Sequence, residues 1–194
     1  MEMLFCATSA MKKNQITSPS SAPDEGLIAQ IAAGSTEALA SLYRQTNSSV
    51  YGFALSIVKN SADAEDIMQE TYLRICSCAG GYSPQGKPMA WILTIVKNLA
   101  LMKLRSQKPV SSLEDWDPPD GRDHFRASED RIVLAAALRY LSDDERQILI
   151  LHAVSGLKQR EIASLLELKL TTVLSKYRRA LKKLKSHLME GERC

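Results

Sequence analysis

The segment QKPVSSLEDWDPPDGRDHFRAS, residues 107–128, constrains this chain more than any other feature. It carries three prolines and a glycine and has no apolar periodicity, so it can neither continue a helix nor pair as a strand. The pattern on both sides of it is helical, and no segment shows sustained β alternation. The expected fold is therefore all-α, with two small helical domains joined by a flexible acidic linker. The expected divisions are a disordered polar tail over residues 1–22, a first domain over 23–108, the linker over 109–130 and a second domain over 131–190.

Local signals place the helices. From Asp24, the residues Leu27, Ile28, Ile31, Leu39, Leu42 and Tyr43 recur at three- and four-residue spacings. Gly34-Ser35-Thr36-Glu37 reads as a stop and a fresh N-cap, predicting a second helix over about Thr36–Val58. Asn60-Ser61 caps a third, with Asp63, Glu65 and Asp66 at the positive end of its dipole. AGGYSPQGKP is a loop by composition, and Pro88 suits the first turn of a fourth helix reaching about Ser106. Beyond the linker, Ile132, Leu134, Ala135, Leu138 and Leu141 open the second domain. Ser142-Asp143-Asp144-Glu145 has capping-box spacing, and helices are expected over about 143–154, 158–166 and 170–188.

Charge is distributed unevenly around a net +3. Residues 1–22 and 23–108 carry +1 each, residues 109–130 carry −5 and residues 131–194 carry +6. This describes a near-neutral module, an acidic link and a basic module. No apolar run approaches the roughly 20 residues a membrane helix needs. The amino terminus, MEMLFCATSAMKKNQ, lacks the order of a secretory signal, and Met11 before two lysines is a second candidate start. The chain is expected to be cytoplasmic.

Catalytic and metal chemistry find little support. Cys76 and Cys78 form a C-x-C pair with no matching second pair, and His124, His152 and His187 have no ligand spacing to it; small semi-buried residues are the simpler expectation. Gly81, Gly86 and Lys87 approach a phosphate-binding loop. The next residue, however, is Pro88, which has neither the hydroxyl nor the backbone N–H such a loop uses. No HExxH, GxSxG or cysteine–histidine nucleophile pair occurs. The expectation is no enzyme, no cofactor and no metal.

Gly156 to Leu184, GLKQREIASLLELKLTTVLSKYRRALKKL, has helix-turn-helix character. Ile162, Ala163, Leu165 and Leu166 give a first helix an apolar face, and Glu167-Leu168-Lys169 is short enough for a tight turn. At 100° per residue, Val173, Tyr177, Ala180, Leu181, Leu184 and Leu188 form one stripe of the following helix. Thr171, Thr172, Ser175 and Lys176 are placed to meet bases, since such a helix enters the major groove amino end first. Arg178, Arg179, Lys182 and Lys183 are placed to meet phosphates.

The helix SADAEDIMQETYLRI, Ser61 to Ile75, contrasts with this. Ala64, Ile67, Met68, Thr71 and Ile75 make its buried stripe, leaving Asp63, Asp66, Gln69, Glu70 and Arg74 outward. An acidic face of this kind repels phosphate, so it is no DNA surface at close range.

DAEDIMQETYLRI resembles the polymerase-docking helix of bacterial RNA polymerase sigma factors of the extracytoplasmic-function (ECF) class. The preceding DEGLIAQIAAGSTEALASLYRQTNSSVYGFALSIVKN is similar to the helices before it in that family. PMAWILTIVKNLALMKLRSQ resembles the helix that melts and reads the minus-ten element. ALRYLSDDERQILILHAVSGLKQREIASLL with LTTVLSKYRRALKKL resembles the minus-thirty-five reader. The likeness runs from Asp24 to Leu188 in order.

The resemblance implies that Asp63, Asp66, Gln69, Glu70 and Arg74 bind a coiled coil on the largest subunit of core RNA polymerase. It implies minus-ten reading by the Tyr82–Pro88 loop, which holds a base flipped from the duplex, with Trp91, Lys97, Asn98 and Arg105. Core packing is the competing role for Trp91. Promoter DNA and an anti-sigma factor that sequesters the chain are the other implied partners. Glu114, Asp115, Asp117, Asp120 and Asp123 would mimic phosphates in a polymerase channel, or serve only as a solubilising tether.

Departures fall at Glu167 and Lys169, where the family's turn carries glycine and proline, which predicts a less sharp turn. Others are Leu174 and Met102, each for a charged residue, and Pro88-Met89 for an aromatic-basic pair. Two alternatives stay open: a dimeric helix-turn-helix regulator working without core polymerase, and an interaction module that docks but delivers no DNA.

Overall fold

A computed structural model describes residues 23–106 and 138–191, with side chains described as far as His187. The tail 1–22, the linker 109–130 and residues 131–137 of the second domain lie outside the described residues. Among the described residues, seven α-helices run α1 Glu25–Ala32, α2 Thr36–Val58, α3 Ser61–Cys78, α4 Pro88–Ser106, α5 Asp143–Ala153, α6 Gln159–Leu166 and α7 Leu170–Gly191. Ala79–Gly81 forms one 3₁₀ turn after α3.

The caps explain where the helices begin. Asp24, Ser35 and Asn60 accept hydrogen bonds from the backbone N–H of Gly26, Ala38 and Asp63, and each satisfies a donor the first turn leaves open. Ser142 and Glu145 form the reciprocal capping box. Helix α2 closes on Lys59 in the left-handed conformation (φ 60°).

Helices α1 to α4 wrap Phe53, Ile28, Leu42, Ile75, Ile92 and Leu93, all wholly buried. Thr46 and the Tyr72 hydroxyl satisfy each other inside this core at 2.9 Å. The same buried cluster continues without a break into Ile148, Leu151, Ile162 and Val173 of α5, α6 and α7. A smaller cluster, Leu141, Leu149 and Ala180, joins α5 to α7.

The seam between the two helical groups is thus apolar and direct. Beside it, Ser49 Oγ donates to the Val154 carbonyl at 3.2 Å, and Lys59 pairs with Asp143 at 2.9 Å. Lys97 Nζ reaches both the Leu165 carbonyl (2.9 Å) and Glu167 Oε1 (2.6 Å). Among the described residues, no helix is long and apolar enough to cross a membrane.

Candidate polymerase- and DNA-binding surfaces

Helix α3 buries Ala64, Ile67, Met68, Thr71, Tyr72 and Ile75. Asp66, Gln69, Leu73 and Arg74 are exposed, and Glu70 is half-buried and bonded to Arg74 Nε at 2.9 Å. Residues 66, 69, 70, 73 and 74 share one helical face. Asp63 corrects the outward assignment. Its side chain is only 18% exposed and pairs with Lys103 Nζ of α4 at 2.9 Å, while Asp66 Oδ2 stands 3.2 Å from the same ammonium. These two carboxylates, Asp63 foremost, raise the pKa of Lys103 and pin the start of α3 to the end of α4.

Leu73, 65% exposed, lies within this polar face and was not singled out from the sequence. Its position seven residues after Asp66 was the available signal. A leucine among carboxylates suits a protein partner, which can bury it, and not a phosphate backbone. At the other end of the helix, Cys76 and Cys78 are exposed free thiols, not the semi-buried residues expected. Among the described residues no cluster of His, Cys, Asp and Glu is placed to hold a metal.

The loop from Tyr82 to Lys87 follows a helix and a 3₁₀ turn, whereas a phosphate-binding loop follows a strand. The Tyr82 and Trp91 rings meet at 4.9 Å between centroids, tilted by 56°. Trp91 is half-buried against the core, so packing accounts for part of its role. Gly86 turns the chain at φ 68°, a conformation glycine adopts without strain. Asn98 and Arg105 are exposed on α4. Lys97 corrects expectation: it is half-buried and engaged by the carboxyl end of α6. A groove of about 280 Å³ lies there, between Lys87, Thr94, Lys97 and Asn98 on one wall and Arg160, Glu161 and Ser164 on the other.

Helices α6 and α7 enclose a tight turn despite the lack of glycine. Glu167 itself adopts the left-handed conformation (φ 57°, ψ 36°), and the N–H of Leu168 bonds back to the Ala163 carbonyl at 2.9 Å. The less sharp turn predicted from Glu167 is therefore not what forms. On α7, Val173 and Ala180 are buried and Tyr177 and Leu184 half-buried, but Leu181 is 44% exposed and leaves the expected stripe. The side chain of Leu188 lies outside the described residues.

Thr171, Ser175, Arg178, Arg179, Lys182 and Lys183 are exposed, and Thr172 is half-buried. Lys176, expected to meet bases, folds back instead to Asp144 of α5 at 2.6 Å. Glu145 is 3% exposed and draws Lys183 to 2.6 Å and Arg179 to 3.6 Å. Burial alone would raise its pKa. The Lys183 ammonium and the hydrogen bonds from Ser142 outweigh that and hold the carboxyl below its usual range. Glu145 thus anchors the cationic helix to α5, a role sequence reading assigned only to the cap.

Residues 42–110 match the family model Sigma-70 region 2, and residues 131–184 match Sigma-70, region 4. The ECF RNA polymerase sigma factor SigK of Mycobacterium sp. (strain KMS) is 31% identical over 173 residues, 84% of this chain and 89% of that one. The chain belongs to the sigma-70 family, in its ECF class. This sigma factor is also similar to SigK of Mycobacterium ulcerans, at 29% identity over 89% of this chain and 98% of that one. Its fold matches that of CnrH, solved with the cytosolic domain of CnrY, with a TM-score of 0.61 at 24% identity over 87% and 98% of the two chains. The RpoE sigma factor of Bartonella quintana, solved with the anti-sigma factor NepR, has the same fold at a TM-score of 0.58 and 20% identity, over 77% and 96%.

The family sets the class of function: a non-catalytic factor of transcription initiation. In this sigma factor the region 2 match spans α3, the Tyr82–Lys87 loop and α4, and the region 4 match covers α6 and α7 as far as Leu184.

Proposed function

We propose that this sigma factor works in the cytoplasm without catalysis of its own, through three surfaces that divide promoter recognition between residues 23–108 and 131–190. Asp66, Gln69, Glu70, Leu73 and Arg74 of α3 bind the coiled coil of the largest core polymerase subunit, with Asp63 holding the helix in place through Lys103. The Tyr82–Lys87 loop with Trp91, Lys97, Asn98 and Arg105 opens and reads the minus-ten element. Thr171, Thr172 and Ser175 meet bases of the minus-thirty-five element, and Arg178, Arg179, Lys182 and Lys183 meet its phosphates.

The observation that carries this reading is the segregation of surface chemistry. The exposed face of α3 combines Asp66 and Gln69 with Leu73, while the exposed face of α7 carries Arg178, Arg179, Lys182 and Lys183. The first face excludes nucleic acid and the second attracts it. Two DNA readers of modest affinity on one chain gain specificity by effective concentration.

Lys97 adds a condition. While it is bound to Glu167 and the Leu165 carbonyl, two of its three donors are committed and its charge is paired, so α6 leaves α4 before the minus-ten surface engages. An anti-sigma factor that favours the closed packing would keep the protein silent. The test is co-purification with core polymerase followed by run-off transcription from a randomised promoter library. Specific run-off dependent on the protein is expected. DNA binding without polymerase, or polymerase binding without run-off, refutes the reading.

A further inference from the structure

The amino end of α1 reaches across the fold to the loop before α4. Glu25 Oε1 alone accepts three hydrogen bonds: from the Tyr82 hydroxyl at 2.5 Å, the Gln85 N–H at 3.0 Å and the Gly86 N–H at 2.7 Å. The donors lie 57 to 61 residues away in sequence, so no local turn preference accounts for them. Tyr82, bonded to Glu25 through its hydroxyl, also meets the Trp91 ring. Gly86 adopts a left-handed φ of 68° where its own N–H and that of Gln85 meet one carboxylate oxygen. The hydrogen bond from Tyr82, followed by the loop amides, keeps the Glu25 carboxyl ionised below its usual range. Burial first, then the Glu25 carboxylate, pushes the Tyr82 hydroxyl up to about 12, so it stays a donor at any working pH. Ser83, Pro84, Gln85 and Lys87 remain exposed along the rim of the loop so fixed.

We infer that Glu25 is a positioning residue for promoter specificity, shaping the Tyr82–Lys87 loop into a preformed receptor for one unstacked base of the minus-ten element. The inference rests on the promoter-reading role proposed for that loop. With the Gln85 and Gly86 N–H groups occupied by Glu25, the loop's discrimination falls to side chains at its rim and to its carbonyls. A rigid rim distinguishes bases because a wrong base leaves polar groups unpaired; a mobile rim adapts to each base and distinguishes less.

The experiment uses wild-type holoenzyme and a promoter it selects from a randomised library. Run-off rates are then compared on templates carrying each of the four bases at every minus-ten position. Absence of sequence-specific run-off with the wild type would sink the promoter-reading role itself, separately from the role of Glu25. Given wild-type discrimination of about tenfold or more at one position, Glu25→Ala is expected to reduce that ratio to about twofold while binding core polymerase normally. Tyr82→Phe, which removes one of the three donors, should fall between. A uniform loss of run-off on all templates with the ratio preserved would show a merely structural role and overturn the inference, as would an unchanged ratio. Should Glu25→Ala also lose core binding, Tyr82→Phe decides on the same criterion, since it leaves Glu25 in place and removes only the hydroxyl that donates to it.

Discussion

Gly52 gives a direct test of how the two helical groups are held together. It lies in the interior of α2, where a Cβ added to it would stand 3.6 Å from Ile150 Cγ2 of α5, an ordinary van der Waals distance. Gly52→Ala therefore adds a methyl group without displacing anything. It removes the helix penalty of glycine, about 0.8–1 kcal/mol, and should raise Tm by roughly 2–4 °C for a chain of this size. Gly52→Leu adds three further carbons at a position whose first carbon already stands at van der Waals distance from Ile150. Overpacking of that kind costs about 1–3 kcal/mol, against a propensity gain of somewhat under 1 kcal/mol, for a net loss of up to about 2 kcal/mol. The strain falls on the contact between α2 and α5 and spares the packing of α2 on α3 and α4. The expected result is an Ala variant as compact as the wild type and more stable. The Leu variant should keep its helical circular dichroism but show a larger radius of gyration by small-angle X-ray scattering. It should also bind an unpaired minus-ten oligonucleotide more tightly, because Lys97 is released. A Leu variant as compact and as stable as the Ala variant would refute the reasoning.

Three further outcomes can be measured. Asp66→Arg with Glu70→Arg should abolish co-purification with core polymerase at unchanged helicity, since Asp63 still holds Lys103; retained binding would displace the docking face from α3. Glu145 has a lowered folded pKa, so the stability it contributes is present above the ordinary glutamate value of about 4.3 and disappears as pH falls through its folded pKa. Glu145→Gln should accordingly cost about 1–3 kcal/mol at pH 7, with the gap from wild type closing in acid denaturation below about pH 4. Arg178→Ala with Lys182→Ala should weaken minus-thirty-five DNA binding alike on all sequences. The slope of log K against log salt should become shallower by about 0.9 per lost phosphate contact.

Much of this molecule was written locally. Asp24, Ser35, Asn60 and Ser142 announce their helices through partners within three residues, and the buried stripes of α3 and α6 follow from spacing alone. Phasing a helix says which side a residue faces but not what lies alongside. Asp63 and Lys176 were therefore placed on open faces, although Lys103 and Asp144 stand beside them in space, 40 and 32 residues away in the chain. The long-range contacts of Glu25 and Lys97 and the seam at Gly52 were invisible for the same reason.

The turn at Glu167 carries the point furthest. Read locally, a glutamate where glycine would be unstrained looks like a defect, and a looser turn was the natural expectation. The backbone instead adopts the left-handed conformation anyway, and the tolerated glutamate aims its carboxylate at Lys97 of the other helical group. A glycine there would relax the turn and delete the contact. The two levels of structure want different residues at this position, and the sequence keeps the one that joins α6 to α4. Positions where local preference is overruled are thus where a long-range contact between the two groups is to be sought, and Glu167 is such a position in this chain.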